Sequence, residues 1–171
     1  VYMNIVRQVS PSASVTLIQP NGGQSFGEGD TISITWSTTN YSGTVSLSLS
    51  RTGIGGSFEP VTNGTTNDGQ YSWVASGNAT TQARVKIVLD GAPSFNDVSD
   101  SDFTIFDRDI SLFTPVALDS FIVGSGVDIQ WTSVNITGNV RIELKRSPSS
   151  PVWELLAGSA PNNGYFGWTA T

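Results

Sequence analysis

Apolar and polar residues alternate along this chain in short runs, and no segment sustains the spacing of an amphipathic helix. Val45-Ser-Leu-Ser-Leu is the plainest case: every second side chain is apolar, so one face is expected to be buried and the other wet. Runs of this kind fall at 15–19, 31–36, 44–51, 58–62, 70–75, 83–90 and 102–106, separated by Gly, Asn, Asp and Pro. Asn67-Asp68-Gly69 marks a tight turn, because these residues tolerate positive φ. Seven short strands in roughly 90 residues predict an all-β, immunoglobulin-like sandwich.

A second set of runs follows at 110–114, 127–131, 139–146, 152–156 and 165–169. It repeats the first at a constant offset. Trp36 and Trp131 lie 95 positions apart, as do Pro20/Pro115, Phe26/Phe121, Gly29/Gly124, Ile34/Ile129, Gly43/Gly138, Leu49/Leu144, Arg51/Arg146, Gly69/Gly164 and Trp73/Trp168. An uninterrupted register of this length predicts two tandem copies of one structural unit. The second copy reaches only Thr171, the position matching Ser76, so the last two strands of the first copy have no counterpart in it. The expected organisation is an N-terminal arm at 1–14, a complete sandwich at 15–107 and a truncated one at 108–171. Asp107-Arg108-Asp109 leaves almost no linker, which suggests domains placed end to end.

The pattern Pro20-Asn-Gly-Gly, Phe26, Gly29, Ile34-Thr-Trp36, Leu47-Ser-Leu49, Asp68-Gly69-Gln-Tyr71-Ser-Trp73 and Ser101-Asp-Phe103-Thr-Ile105 resembles a known module. It is similar to the immunoglobulin-like domain of the Ser/Thr-rich GPI-anchored cell-wall family and its prokaryotic cell-surface relatives. The resemblance covers the first copy fully and the second as far as it runs. It weakens where Pro-Asn-Gly-Gly becomes Pro115-Val-Ala-Leu. It implies a non-catalytic domain of an extracellular, secreted or wall-attached protein.

The arm carries a pattern of its own. Val1, Met3, Ile5 and Val9 fall on one face of an extended chain, with Arg7 the exception; Tyr2, Asn4 and Gln8 fall on the other, with Val6 the exception. Aligning Met3 with Val85 also aligns Ile5 with Ile87 and Pro11 with Pro93. The arm thus resembles the sixth strand of the first copy, the one the second copy lacks. A sandwich without that strand has an open sheet edge, which is a docking site for an added strand. The expected acceptor groove lies between the runs at 139–146 and 165–169 and is lined by Val140, Ile142, Leu144, Phe166 and Trp168. Residues 10–14 span at most about 18 Å, too short to carry the arm past one domain to the far one. The arm is therefore expected to enter a neighbouring copy, and a head-to-tail contact that does not close builds a filament. The other reading is a spacer or carbohydrate-binding pair of repeats from a larger secreted protein, with cell-wall or surface glycans as partners.

Composition narrows the chemistry. Net charge is −6 with only 8 Lys and Arg, which argues against nucleic acid or an anionic membrane as partner. There is no histidine and no cysteine, so the commonest general base, the thiol nucleophile and zinc-thiolate sites are excluded. No signal peptide or membrane-length apolar run is present; an exported protein is here expected in mature form. Glu28 and Asp30 suit paired-carboxylate hydrolysis only in spacing, since Val123 and Ser125 replace them in the second copy. No catalytic site, cofactor or metal is expected. Asp97, Asp100, Asp102, Asp107 and Asp109 lack the spacing of a calcium loop and read as a solvated inter-domain turn. Trp36, Trp73, Trp131 and Trp168 read as core rather than a sugar platform, because they recur at matched positions. Lys86 and Lys145 do not recur, which argues against an internal Lys–Asn isopeptide bond. Sequons stand at Asn40, Asn63, Asn78 and Asn135, of which Asn63 and Asn78 are expected in loops. With 11 Asn and 42 Ser and Thr in the chain, about three such triplets arise by chance.

Overall fold

The structure, a computed structural model, describes residues 12–116 and 119–171. The chain is all-β and forms two compact units, one ending at Phe106 and one running from Asp107 to Thr171. Among its described residues, unit 1 contains nine strands. They are β1 (Ser14–Gln19), β2 (Ser25–Gly27), β3 (Thr31–Thr39), β4 (Val45–Ser50), β5 (Phe58–Thr65), β6 (Gln70–Val74), β7 (Thr80–Leu89), β8 (Asn96–Val98) and β9 (Phe103–Phe106). One sheet has the order β1-β3-β6; the other runs β2-β9-β7-β4-β5, with β8 also paired to β7.

Alternation drives these strands into two layers. Ile32, Ile34 and Trp36 of β3 are buried, as are Val45, Leu47 and Leu49 of β4, while Thr31 and Ser33 between them face solvent. β7 contributes the most enclosed row: Ala83, Val85, Ile87 and Leu89 have no exposed surface. Together with Leu17, Phe103 and Ile105 they form one core between the sheets, the arrangement that defines a β-sandwich.

Unit 2 contains β10 (Asp109–Thr114), β11 (Gly126–Val134), β12 (Val140–Leu144), β13 (Glu154–Ala160) and β14 (Tyr165–Thr169). Its sheets are β10-β11-β14 and β12-β13. Fine details recur between the units at the 95-residue offset. Trp36 Nε1 donates to Asn67 Oδ1 at 2.8 Å, and Trp131 Nε1 donates to Asn162 Oδ1 at 2.8 Å. Arg51 Nε pairs with Glu59 at 2.9 Å while its guanidinium also donates to the Ser76 carbonyl. Arg146 does the same with Glu154 at 2.8 Å and the Thr171 carbonyl. The two Asn/Asp-Gly turns close identically: Gly69 and Gly164 have positive φ, and their carbonyls accept from the Trp36 and Trp131 amides. A side chain at either glycine would be strained by the positive φ, and its Cβ would lie a tight 3.3 Å from the Trp36 oxygen or 2.9 Å from that of Trp131, where something must shift.

Several sequence-based expectations need correction. β2 and β8 have no periodicity to betray them, being three residues long and held only by their neighbours β9 and β7. β5 extends to Thr65, so Asn63 lies on a strand; the register shifts between Val45 and Leu47 and absorbs Asn63-Gly64 as a bulge. β13 begins at Glu154, leaving Val152 and Trp153 ahead of it and exposed.

Candidate functional site

In unit 1, β4 is an inner strand. β5 pairs along one edge and β7 along the other. Its counterpart β12 pairs with β13 alone among the described residues, so the edge equivalent to the β7 side carries backbone donors and acceptors with no strand against them. The side chains behind that edge are correspondingly uncovered. Val140, Ile142 and Leu144 are half-buried where Val45, Leu47 and Leu49 are fully buried.

The sharpest contrast is on the facing sheet. Leu17 of β1 is 2% exposed, because β7 and β8 pack over it and its amide donates to Asp97 Oδ2 at 2.8 Å. Leu112 of β10, at the matching position, is 60% exposed. Between the layers of unit 2 lies an open apolar cleft of about 340 Å³, lined by Leu112, Phe121, Ile129, Ile142, Leu144, Trp153 and Trp168 among others. A second cleft of about 210 Å³ adjoins it, sharing Leu112, Ile129 and Ile142 and adding Ile110, Trp131 and Val140. The same vacancy explains why 120–122 forms no strand. In unit 1, β2 exists by parallel pairing with β9, and Phe26 packs edge-on against Phe103 at 5.8 Å. Phe121 finds no such ring and stays exposed.

Charges stand around this cleft in neutralised pairs. Arg141 meets Glu143 at 2.6 Å and Arg146 meets Glu154 at 2.8 Å, a bond that raises the arginine pKa further. Lys145 Nζ sits 5.5 Å above the Trp153 ring. Tyr165 donates to Asp128 at 2.9 Å, and the phenol pKa rises because the hydrogen bond and the neighbouring carboxylate both favour the protonated form. The groove is thus an apolar slot with an unpaired backbone edge, suited to an extended peptide whose alternate residues are apolar.

Of the expected acceptor residues, Ile142, Leu144 and Trp168 line the larger cleft and Val140 the smaller one. Phe166 is half-buried on β14 but lines neither. β14 belongs to the sheet facing β12, beside β11. Leu112, Phe121 and Trp153 were not anticipated as groove residues. Their signal was the offset itself: they match Leu17 of the unit 1 core, Phe26 packed against it, and Phe58. The donor residues Val1, Met3, Ile5 and Val9 lie outside the described residues.

Trp36 and Trp131 are core, 3% and 4% exposed. Trp73 and Trp168 are only half-buried, each on a cleft wall, and Trp153 is 57% exposed. Of the acidic run, Asp107 and Asp109 are exposed where the two units meet in sequence, while the earlier residues hold unit 1 together. Asp97 caps the Leu17 and Val98 amides, Asp100 accepts from Asn21, and Asp102 pairs with Arg84. No group of three or more acidic residues is placed to hold a metal among the described residues. Asp30 accepts the Gly27 amide at 2.7 Å, closing the β2–β3 turn. Lys86 stands 5.7 Å above Phe58. Asn40 and Asn135 each adopt a φ of 53° and donate through Nδ2 to a carbonyl at the start of their unit, Ser12 and Asp107. Asparagine is favoured there by the left-handed turn, which accounts for two of the four sequons without a glycan. Asn78 is exposed on the loop after β6. No described helix is long and apolar enough to cross a membrane.

No family model matches the chain, and no curated protein matches it. Among solved structures it is similar, at a TM-score of 0.33 and 14% identity, to the fibronectin(III)-like modules of Clostridium thermocellum CbhA; the match covers 92% of this chain and 79% of that one.

Proposed function

We propose that this chain is a non-catalytic structural protein of the cell surface, built from two copies of one immunoglobulin-like unit, in which unit 2 accepts a strand. The observation that carries this reading is the pair Leu17 and Leu112: one position, 2% exposed where β7 and β8 cover it and 60% exposed where nothing described does. The donor is residues 1–9 of a second copy: Met3 and Ile5 match Val85 and Ile87 of β7, and Pro11, just after the donor, matches Pro93, just after β7. Each copy then gives one strand and receives one, and the product is a head-to-tail extracellular filament. Support for a duplicated unit comes from the recurrent Trp–Asn, Arg–Glu and Asn–carbonyl bonds at the 95-residue offset. The likeness of its motifs to the Ser/Thr-rich GPI-anchored wall domain supports the location.

A second reading has its own observation. In unit 1, β7 begins at Thr80, soon after β6 ends at Val74, on the same chain. Residues following Thr171 in a longer chain could fill the slot by the same path. The protein would then be a spacer, or a carbohydrate-binding pair of repeats, in a larger secreted or wall-attached protein.

Sedimentation and negative-stain electron microscopy of the 171-residue chain separate the two. Filaments, or a mass that grows with concentration, are expected for strand exchange. A monomer at every concentration would sink it and leave the spacer reading.

A further inference from the structure

The register in which a neighbour's arm lies along β12 can be taken from unit 1, and this inference rests on the strand-acceptor reading. There, β7 runs antiparallel to β4 with Leu49 opposite Val85, Ser48 opposite Lys86, Leu47 opposite Ile87 and Val45 opposite Leu89. β12 repeats β4 at an offset of 95, and the arm repeats β7 at an offset of 82. Combining the two, we infer that residues 3–7 of a second copy lie antiparallel along β12, with Met3 opposite Leu144, Asn4 opposite Glu143, Ile5 opposite Ile142 and Arg7 opposite Val140.

The pairing suits both partners. Met3 and Ile5 take the places of Val85 and Ile87, which are fully buried, and come against Leu144 and Ile142 on the cleft wall. Arg7, the one charged residue of the apolar face, takes the place of Leu89, buried in unit 1, and falls opposite the half-buried Val140, the first residue of β12. Asn4 replaces Lys86, whose ammonium stands over Phe58 in unit 1. The ring at that position in unit 2, Trp153, already has Lys145, the residue just after β12, 5.5 Å above it, so the arm need not bring a cation. A slip of one residue turns Tyr2 and Asn4 into the cleft and is excluded by the side-chain period of two. A slip of two is the competitor: it sets Asn4 opposite Lys145 with Arg7 opposite Ile142, or Asn4 opposite Arg141 with Ile5 opposite Val140.

The chain has no cysteine, so introduced thiols report the register without background. Directly opposed Cβ atoms in an antiparallel pair are about 4.5–5.5 Å apart, and diagonal neighbours about 7–8 Å. Three full-length double variants are compared: N4C/E143C, N4C/K145C and N4C/R141C. Each is treated with dibromobimane, which bridges only closely spaced thiols, and run on a denaturing gel. N4C/E143C is expected to give a ladder of covalent dimers and higher oligomers, with at most a trace in the other two. A stronger ladder from N4C/K145C or N4C/R141C overturns the register while leaving strand exchange intact. Bridging within single chains, or monomers by sedimentation with no ladder in any variant, overturns both.

Discussion

Deleting residues 1–9 is expected to abolish assembly and leave unit 1 folded. Among the described residues, the buried core of unit 1 runs from Leu17 to Ile105. Unit 2 of each deleted chain keeps its open β12 edge and receives nothing. Near-ultraviolet circular dichroism should retain the signal of the buried Trp36, while sedimentation shows only monomer. Ile5→Asp is the milder form of the same test, since burying an unpaired carboxylate costs several kcal/mol even after relaxation. Filaments formed by the deleted chain would remove the arm from the assembly.

Leu17→Ala and Leu112→Ala are expected to differ widely although they alter the same position of two similar units. Leu17 is enclosed by β3, β7 and β8, and its truncation should cost unit 1 about 2–5 kcal/mol. Leu112 is mostly in water in the uncapped unit, so in the arm-deleted monomer its truncation should stay within about 0.5 kcal/mol. In filaments Leu112 becomes covered, and the same substitution should destabilise the assembly toward the Leu17 value. Hydrogen exchange of amides in each unit reads the effects separately. Equal costs of the two substitutions in the monomer would mean that the slot is already filled.

How much of this was legible beforehand depends on what made each element. β3, β4 and β7 announce themselves because their alternation is dictated by burial on one face, and Ile32, Ile34, Val45, Leu47 and Val85 carry it in the sequence. β2 and β8 are illegible for the opposite reason: a partner strand induces them, and 120–122 shows that a similar sequence without the partner stays irregular. At the groove, β12 was readable from its own alternation, but Leu112 was not. Its role follows from which strand no longer covers it, a fact of topology rather than of local pattern. Phe166 alternates with Trp168 on β14 and pairs with Ile129, which lines both clefts, yet it lines neither itself. At Asn40 and Asn135 a backbone turn and a modification motif call for the same residue.

Adding a synthetic peptide of residues 1–14 to the arm-deleted chain tests the strand-acceptor claim most directly, because it separates capture of the strand from polymerisation. A ligand that binds only the folded state raises stability by mass action, by about 2.7 kcal/mol at a hundredfold excess over Kd. The expected result is a monomer whose unit 2 melting temperature climbs with peptide concentration, while a peptide carrying Ile5→Asp has little effect. A melting temperature that stays flat as the native peptide rises to millimolar concentration would contradict it.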